Sequence, residues 1–166
     1  MSEFDLLEES VERRKIGTYV SCDYTITSAV KLQNWCDVNH IPSPLASGHY
    51  HSTILYSRKA VFDAQQIVEM FDETVEMKII GFKLFDSADH PEKCALVLEL
   101  EAPLLIALHE RLIKAGGTHD YNDYTPHVTV SYDAPSNLDL SLLKLPDFVI
   151  TINSFKAEPL DLNWKE

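Results

Sequence analysis

An internal echo limits the fold more than any other feature. "HSTILY", His51 to Tyr56, returns as "HVTVSY", His127 to Tyr132, at an offset of 76 residues. His, Thr, a β-branched residue and Tyr match position for position. A lone His-x-Thr carries little weight, since this composition supplies roughly 0.4 copies by chance. The same offset, however, joins the segments in front of each motif. "TSAVKLQNWCDVNH" has Ala29, Leu32 and Cys36 at helical spacing, with Thr27 or Ser28 as N-cap. Its shifted counterpart, "PLLIALHERLIKAGG", has Leu105, Leu108 and Leu112, starts near Pro103 and ends in Gly116 and Gly117. Ahead of these helices, "IGTYVSCDY" and "EKCALVLEL" read as strands.

Strand, helix and His-x-Thr strand therefore occur twice, over about 16–57 and 92–133 of a single domain spanning 1–166. The expected class is α+β: two similar lobes related by a pseudo-twofold, with antiparallel sheets backed by helices around a central cleft. "TVEMKIIGFKLFD" is expected to pair as a hairpin with "CALVLELEA" through the polar "SADHPEK". "DFVITINSFKAEPL" reads as a late strand and "NLDLSLLK" as a short helix. Residues 1–15 either form a helical turn through Phe4, Leu7 and Val11 or fray.

Strand alternation sends His51 and Thr53 to one face, and His127 and Thr129 likewise. It assigns Ser52, Ile54 and Tyr56, with Val128, Val130 and Tyr132, to the opposite face. If both motif strands border one cleft, two imidazoles and two hydroxyls converge. That set suits phosphodiester cleavage. An imidazole titrates near neutrality, so one ring accepts a proton while the other donates one. Threonine hydroxyls donate to non-bridging phosphate oxygens as charge builds there. A metal reading rests on His49 and His51, with Cys22 or His119 as further ligands, but no zinc spacing accompanies them. No cofactor is expected. His40, His90 and His109 have no partner by spacing and read as surface residues.

The net charge of −12, from 26 acids against 14 bases, disfavours long nucleic acid, which is held by Lys and Arg. A small anionic ligand in a local pocket remains compatible with it. Lys15, Arg58 and Lys59 are the basic residues nearest the motifs in sequence. The loop "GGTHDYNDYTP", with Tyr121 and Tyr124, is either a gate over the cleft or a plain connection. Cys22, Cys36 and Cys94 form no CxxC and no even set, which fits a reduced cytoplasmic setting. The acidic N-terminus is unlike a secretory signal, and no apolar run approaches the ~20 residues of a membrane span.

The paired "HSTI" and "HVTV" resemble the 2H phosphoesterase superfamily, metal-independent enzymes with a bilobed fold. "KIGTYVSCDY", "LQNWCDVNHIPSPL", "HSTILYSR" and "AEPLDLNW" look like the phage anti-CBASS protein family, and the likeness spans nearly the whole chain. The resemblance implies degradation of cyclic di- and trinucleotide immune signals such as 3′3′-cyclic GMP-AMP, in the cytoplasm of an infected host. It implies catalytic roles for His51, Thr53, His127 and Thr129, and ligand contacts for Tyr19, Glu158 and Trp164. It also implies a base-stacking aromatic between the motifs, for which Phe82 and Phe85 are candidates. Two rivals stand beside it: a phosphodiesterase for linear or 2′,3′-cyclic phosphate RNA ends, and a sponge that binds cyclic nucleotides uncut. The oligomeric state is left open.

Overall fold

A computed structural model describes residues 16–71, 74–86, 92–120 and 123–162. Residues 1–15, His90, Tyr121 and Trp164 lie outside the described residues, and so do the expectations attached to them. In chain order the elements are β1 (Ile16–Tyr24), α1 (Ile26–Val38), β2 (His51–Ser57), α2 (Ala64–Met70), β3 (Glu76–Asp86), β4 (Lys93–Glu101), α3 (Pro103–Lys114), β5 (His127–Pro135) and β6 (Val149–Asp161). One-turn 3₁₀ helices occur at Ser47–His49 and Leu140–Leu142. The latter is all that forms of the short helix expected in "NLDLSLLK". Helix α2 follows β2 and was not foreseen; its Ala64, Ile67 and Val68 are buried. Thr25, rather than Thr27 or Ser28, caps α1, its side chain accepting from Ser28 N–H.

The strands run in the order β2-β1-β6-β3-β4-β5, and every pairing is antiparallel. The sheet's two halves correspond strand for strand from the outside in, β2, β1 and β6 against β5, β4 and β3. It divides between β6 and β3, which share a short register over Glu76–Lys78 and Val149–Thr151. One lobe is β2-β1-β6 and the other β5-β4-β3, so the expected α+β pseudo-twofold architecture is the one observed. The two outermost strands meet. Ser52 Oγ on β2 donates to the His127 carbonyl on β5 at 2.6 Å, and Leu45 N–H donates to the Val130 carbonyl at 2.9 Å.

The apolar spacing read from the helices decides their buried faces. Ala29, Leu32 and Cys36 of α1 and Leu105, Leu108 and Leu112 of α3 are all buried. Each fully buried leucine contributes about 1.5–3 kcal/mol. Helix α3 ends where Gly116 takes φ +110°, a conformation that disfavours any side chain. The helices reach across the boundary between the lobes. α3, which follows β4, packs against β2: His109 Nδ1–H donates to the Ile54 carbonyl at 2.7 Å. α1, which follows β1, packs towards β3: Trp35 stacks on Phe82 with centroids 5.6 Å apart. α1 also meets β6 of its own lobe, where Thr151 N–H donates to Ser28 Oγ at 2.8 Å.

Candidate active site

Both motif strands carry a β-bulge at the same place in the repeat. On β2, Thr53 faces Ser21 and Leu55 faces Val20, so Ile54 is the extra residue. On β5, Thr129 faces Val97 and Ser131 faces Leu96, so Val130 is extra. Ile54 and Val130 are separated by the repeat offset of 76. A bulge breaks strict alternation and re-aims the side chains beyond it. This corrects the simple alternation read from the sequence. Ser52, Ile54, Val128 and Val130 do point into the core, but Tyr56 and Tyr132 turn back to the His-Thr face, and both are exposed. The Tyr56 ring lies edge-on to Tyr19, with centroids 6.3 Å apart.

His51 and His127 are held in matching ways. His51 Nδ1 lies 3.0 Å from the His49 carbonyl, and His127 Nδ1 lies 2.8 Å from the Thr125 carbonyl. A carbonyl oxygen only accepts, so Nδ1 carries the proton in both rings. Nε2 is then the free edge: a lone pair in the neutral ring, an N–H in the imidazolium. Both rings are half-buried. The His127 ring meets the Phe85 ring edge to face, with centroids 5.5 Å apart.

Around the first motif, Tyr19 Oη lies 3.0 Å from Thr53 Oγ1. Burial pushes the Tyr19 phenol above its ordinary range; the bond to Thr53 opposes this, and Tyr132 and Glu158 add to the rise. The phenol therefore stays protonated and able to donate. Glu158 sits opposite Tyr19 in the β1–β6 register, on the same face. Behind β2, Tyr124 Oη donates to the Thr53 carbonyl at 2.8 Å, and His109 takes the carbonyl of the bulge residue Ile54. The rings of His109 and Tyr124 stack at 4.3 Å with an 11° interplanar angle. A bulge leaves ladder groups unpaired, and here two side chains satisfy them. His109 is buried, contrary to its reading as a surface residue. Spacing failed there because its burial depends on a helix from the other lobe. Tyr124 also ties the described part of its loop to β2.

Other candidates separate cleanly. Phe85 reaches the site beside His127, whereas Phe82 belongs to the core against Trp35. Arg58 is engaged by Asp120 in an exposed two-pronged ion pair, its Nη2 3.0 Å from Oδ2. Among the described residues no three His, Cys, Asp or Glu side chains cluster as a metal site. Burial pushes the Cys22 thiol up to about 12, which opposes the thiolate a metal would need. Sequence reasoning missed Ser52, which joins the two motif strands, and Tyr56 and Tyr132. The repeat offset itself was a signal for the tyrosines, since 76 residues separate them.

A family model described as anti-CBASS protein Acb1 matches residues 16–166. The anti-CBASS protein Acb1 of Vibrio phage KVP40 is 36% identical over 151 residues, covering 89% of this chain and 90% of that protein. The corresponding protein of Salmonella phage S16 is 29% identical over 150 residues, with 90% and 92% covered. Among solved structures, E. coli LigT complexed with 3′-AMP has a TM-score of 0.56 at 14% identity, covering 85% of this chain and 86% of that one. A crystal structure of a phosphoesterase scores the same 0.56 at 13% identity, with 84% and 85% covered. The latter two likenesses describe the fold, that of the 2H phosphoesterases. The pseudo-twofold sheet, the paired His-x-Thr strands and these matches agree: the chain belongs to the anti-CBASS protein Acb1 family.

Proposed function

We propose that the chain is a metal-independent phosphodiesterase that opens 3′–5′ bonds of cyclic di- and trinucleotides, and so antagonises CBASS immunity. The observation that carries this is the matched pair of histidines, each with Nδ1 engaged by the carbonyl two residues before it. Such rings are poised alike at Nε2, and general acid–base cleavage needs two of them in opposite protonation states. One Nε2 takes the proton of the attacking hydroxyl, from water or from a ribose 2′-OH. The other Nε2–H protonates the departing oxygen. Thr53 and Thr129 donate to the non-bridging oxygens. When Tyr19 donates to Thr53, the Thr53 proton is released for the phosphate.

A ligand with two or more bases suits the site better than a lone RNA end. Tyr19, Tyr56 and Glu158 lie together on the first lobe, and Phe85 stands beside His127 on the second. Two acid–base groups favour cutting over binding alone. The test is incubation with 3′3′-cyclic GMP-AMP in excess EDTA, followed by chromatography, beside linear RNA and 2′,3′-cyclic phosphate ends. Turnover of the cyclic substrate in EDTA is the expected result. Activity that needs added zinc or magnesium, or that is confined to linear ends, overturns the reading.

A further inference from the structure

The cleft faces of the two lobes match beyond the repeat seen in the sequence. In the first lobe, cross-strand neighbours run Thr53, Ser21, Lys156 over β2, β1 and β6. In the second they run Thr129, Val97, Lys83 over β5, β4 and β3. A lysine thus ends the row of each motif threonine, two strands inward, which is about 9–10 Å at ordinary strand spacing. The neighbouring rows agree in layout: His51, Asp23, Ser154 against His127, Glu99, Gly81. Strands β3 and β6 lie outside the 76-residue echo, so this lysine pair was invisible to it.

Both lysines are exposed, and among the described residues neither has an ion-pair partner. Lys83 Nζ lies 5.3 Å from the Phe85 ring centroid, and that ring meets His127 at 5.5 Å, so the ammonium is at the cleft. On this face Asp23, Glu99 and Glu158 are acids that repel an anionic ligand, and Lys93 is paired with Asp133 at 3.6 Å. Asp23 Oδ1 is itself occupied by Ser154 N–H and Oγ–H, at 2.9 and 2.7 Å. Arg58, the cation nearest the first motif in sequence, is held by Asp120. Something else must offset phosphate charge.

We propose that Lys83 and Lys156 are a matched pair of phosphate-binding ammonium groups, one per lobe, that offset the charge of the uncut phosphate: both attract the single uncut phosphodiester of a cyclic dinucleotide, and each takes one of the two in a cyclic trinucleotide. This rests on the cyclic-oligonucleotide reading above. The lysines do no proton transfer. A flexible ammonium suits phosphates that change position with ring size, because it acts as a point charge without fixed planar geometry.

The test measures binding of 3′3′-cyclic GMP-AMP by calorimetry in a His51→Ala, His127→Ala parent, where the ligand stays intact. Lys83→Gln and Lys156→Gln are each compared with Lys31→Gln, a control on α1, away from the cleft. Each cleft variant is expected to weaken binding about 5- to 50-fold, the scale of a lost charge-assisted contact. Affinity should also become less sensitive to salt. Lys31→Gln should stay within about twofold, and melting temperatures should match the parent. With both histidines restored, the cleft variants should raise KM and leave kcat within about threefold. Cleft variants that behave like Lys31→Gln, or an effect confined to one lysine, overturn the proposal and leave the cleavage reading standing. A parent that binds no cyclic nucleotide overturns the cleavage reading instead, and this one with it.

Discussion

Ser52 offers the sharpest test of how the site is held together. Its side chain is buried, donates to the His127 carbonyl at 2.6 Å and accepts from the buried Tyr24 hydroxyl. Ser52→Ala removes both bonds while deleting one small group. The lost bond to His127 costs about 0.5–1.5 kcal/mol net, and leaving the buried Tyr24 hydroxyl with only the weakly bonding Cys22 thiol costs about 1–3 kcal/mol more. The sum is about 2–4 kcal/mol. For a chain of 166 residues this corresponds to a fall in melting temperature of about 4–16 °C. Because the bond joins β2 to β5, kcat should fall about tenfold or more even where the variant is fully folded, as the histidines lose their fixed spacing. Tyr24→Phe on the same background removes the poorly bonded hydroxyl. The double variant should therefore regain about 1–2 kcal/mol over Ser52→Ala. Differential scanning calorimetry and steady-state kinetics measure both quantities. A melting temperature within 2 °C of the parent by rough count, or costs that simply add in the double variant, would refute the argument.

His51→Ala and His127→Ala should each lower kcat at least ~10²-fold, and the double variant should lose far less than the product, as measured by single-turnover kinetics. Tyr19→Phe should lower kcat about 3- to 30-fold with little change in KM, since it removes the hydroxyl at Thr53 and keeps the ring that faces Tyr56; an unchanged kcat would dismiss that relay. Burial holds the His109 pKa below its ordinary value, with His119 acting the same way and the Ile54 carbonyl and Glu110 opposing. The unfolded state therefore binds the proton first, so stability should be intact above the unfolded value of about 6.5 and decline as pH falls through it towards the folded value. Melting temperature followed against pH should show this decline, and His109→Asn should flatten it.

What this chain declared in its sequence is local and periodic. Helical spacing at Leu105, Leu108 and Leu112 named a buried face because every fourth side chain shares one side of a helix. The 76-residue offset exposed the duplicated strand–helix–strand unit, and with it the His-Thr pairs, because equivalent places in a repeated fold keep equivalent residues. The tertiary structure decided whatever depends on register between strands far apart in the chain. Bulges at Ile54 and Val130 turn Tyr56 and Tyr132 to the cleft, although alternation assigns them to the face opposite the His-Thr pairs. Phe85 rather than Phe82 meets His127 because the β3–β4 pairing sets which face each residue takes. His109 is buried because α3 crosses to the other lobe and meets a carbonyl that a bulge left unpaired. Lys83 and Lys156 line up with the threonines only through three-strand rows, and no single segment records a row that three segments make together.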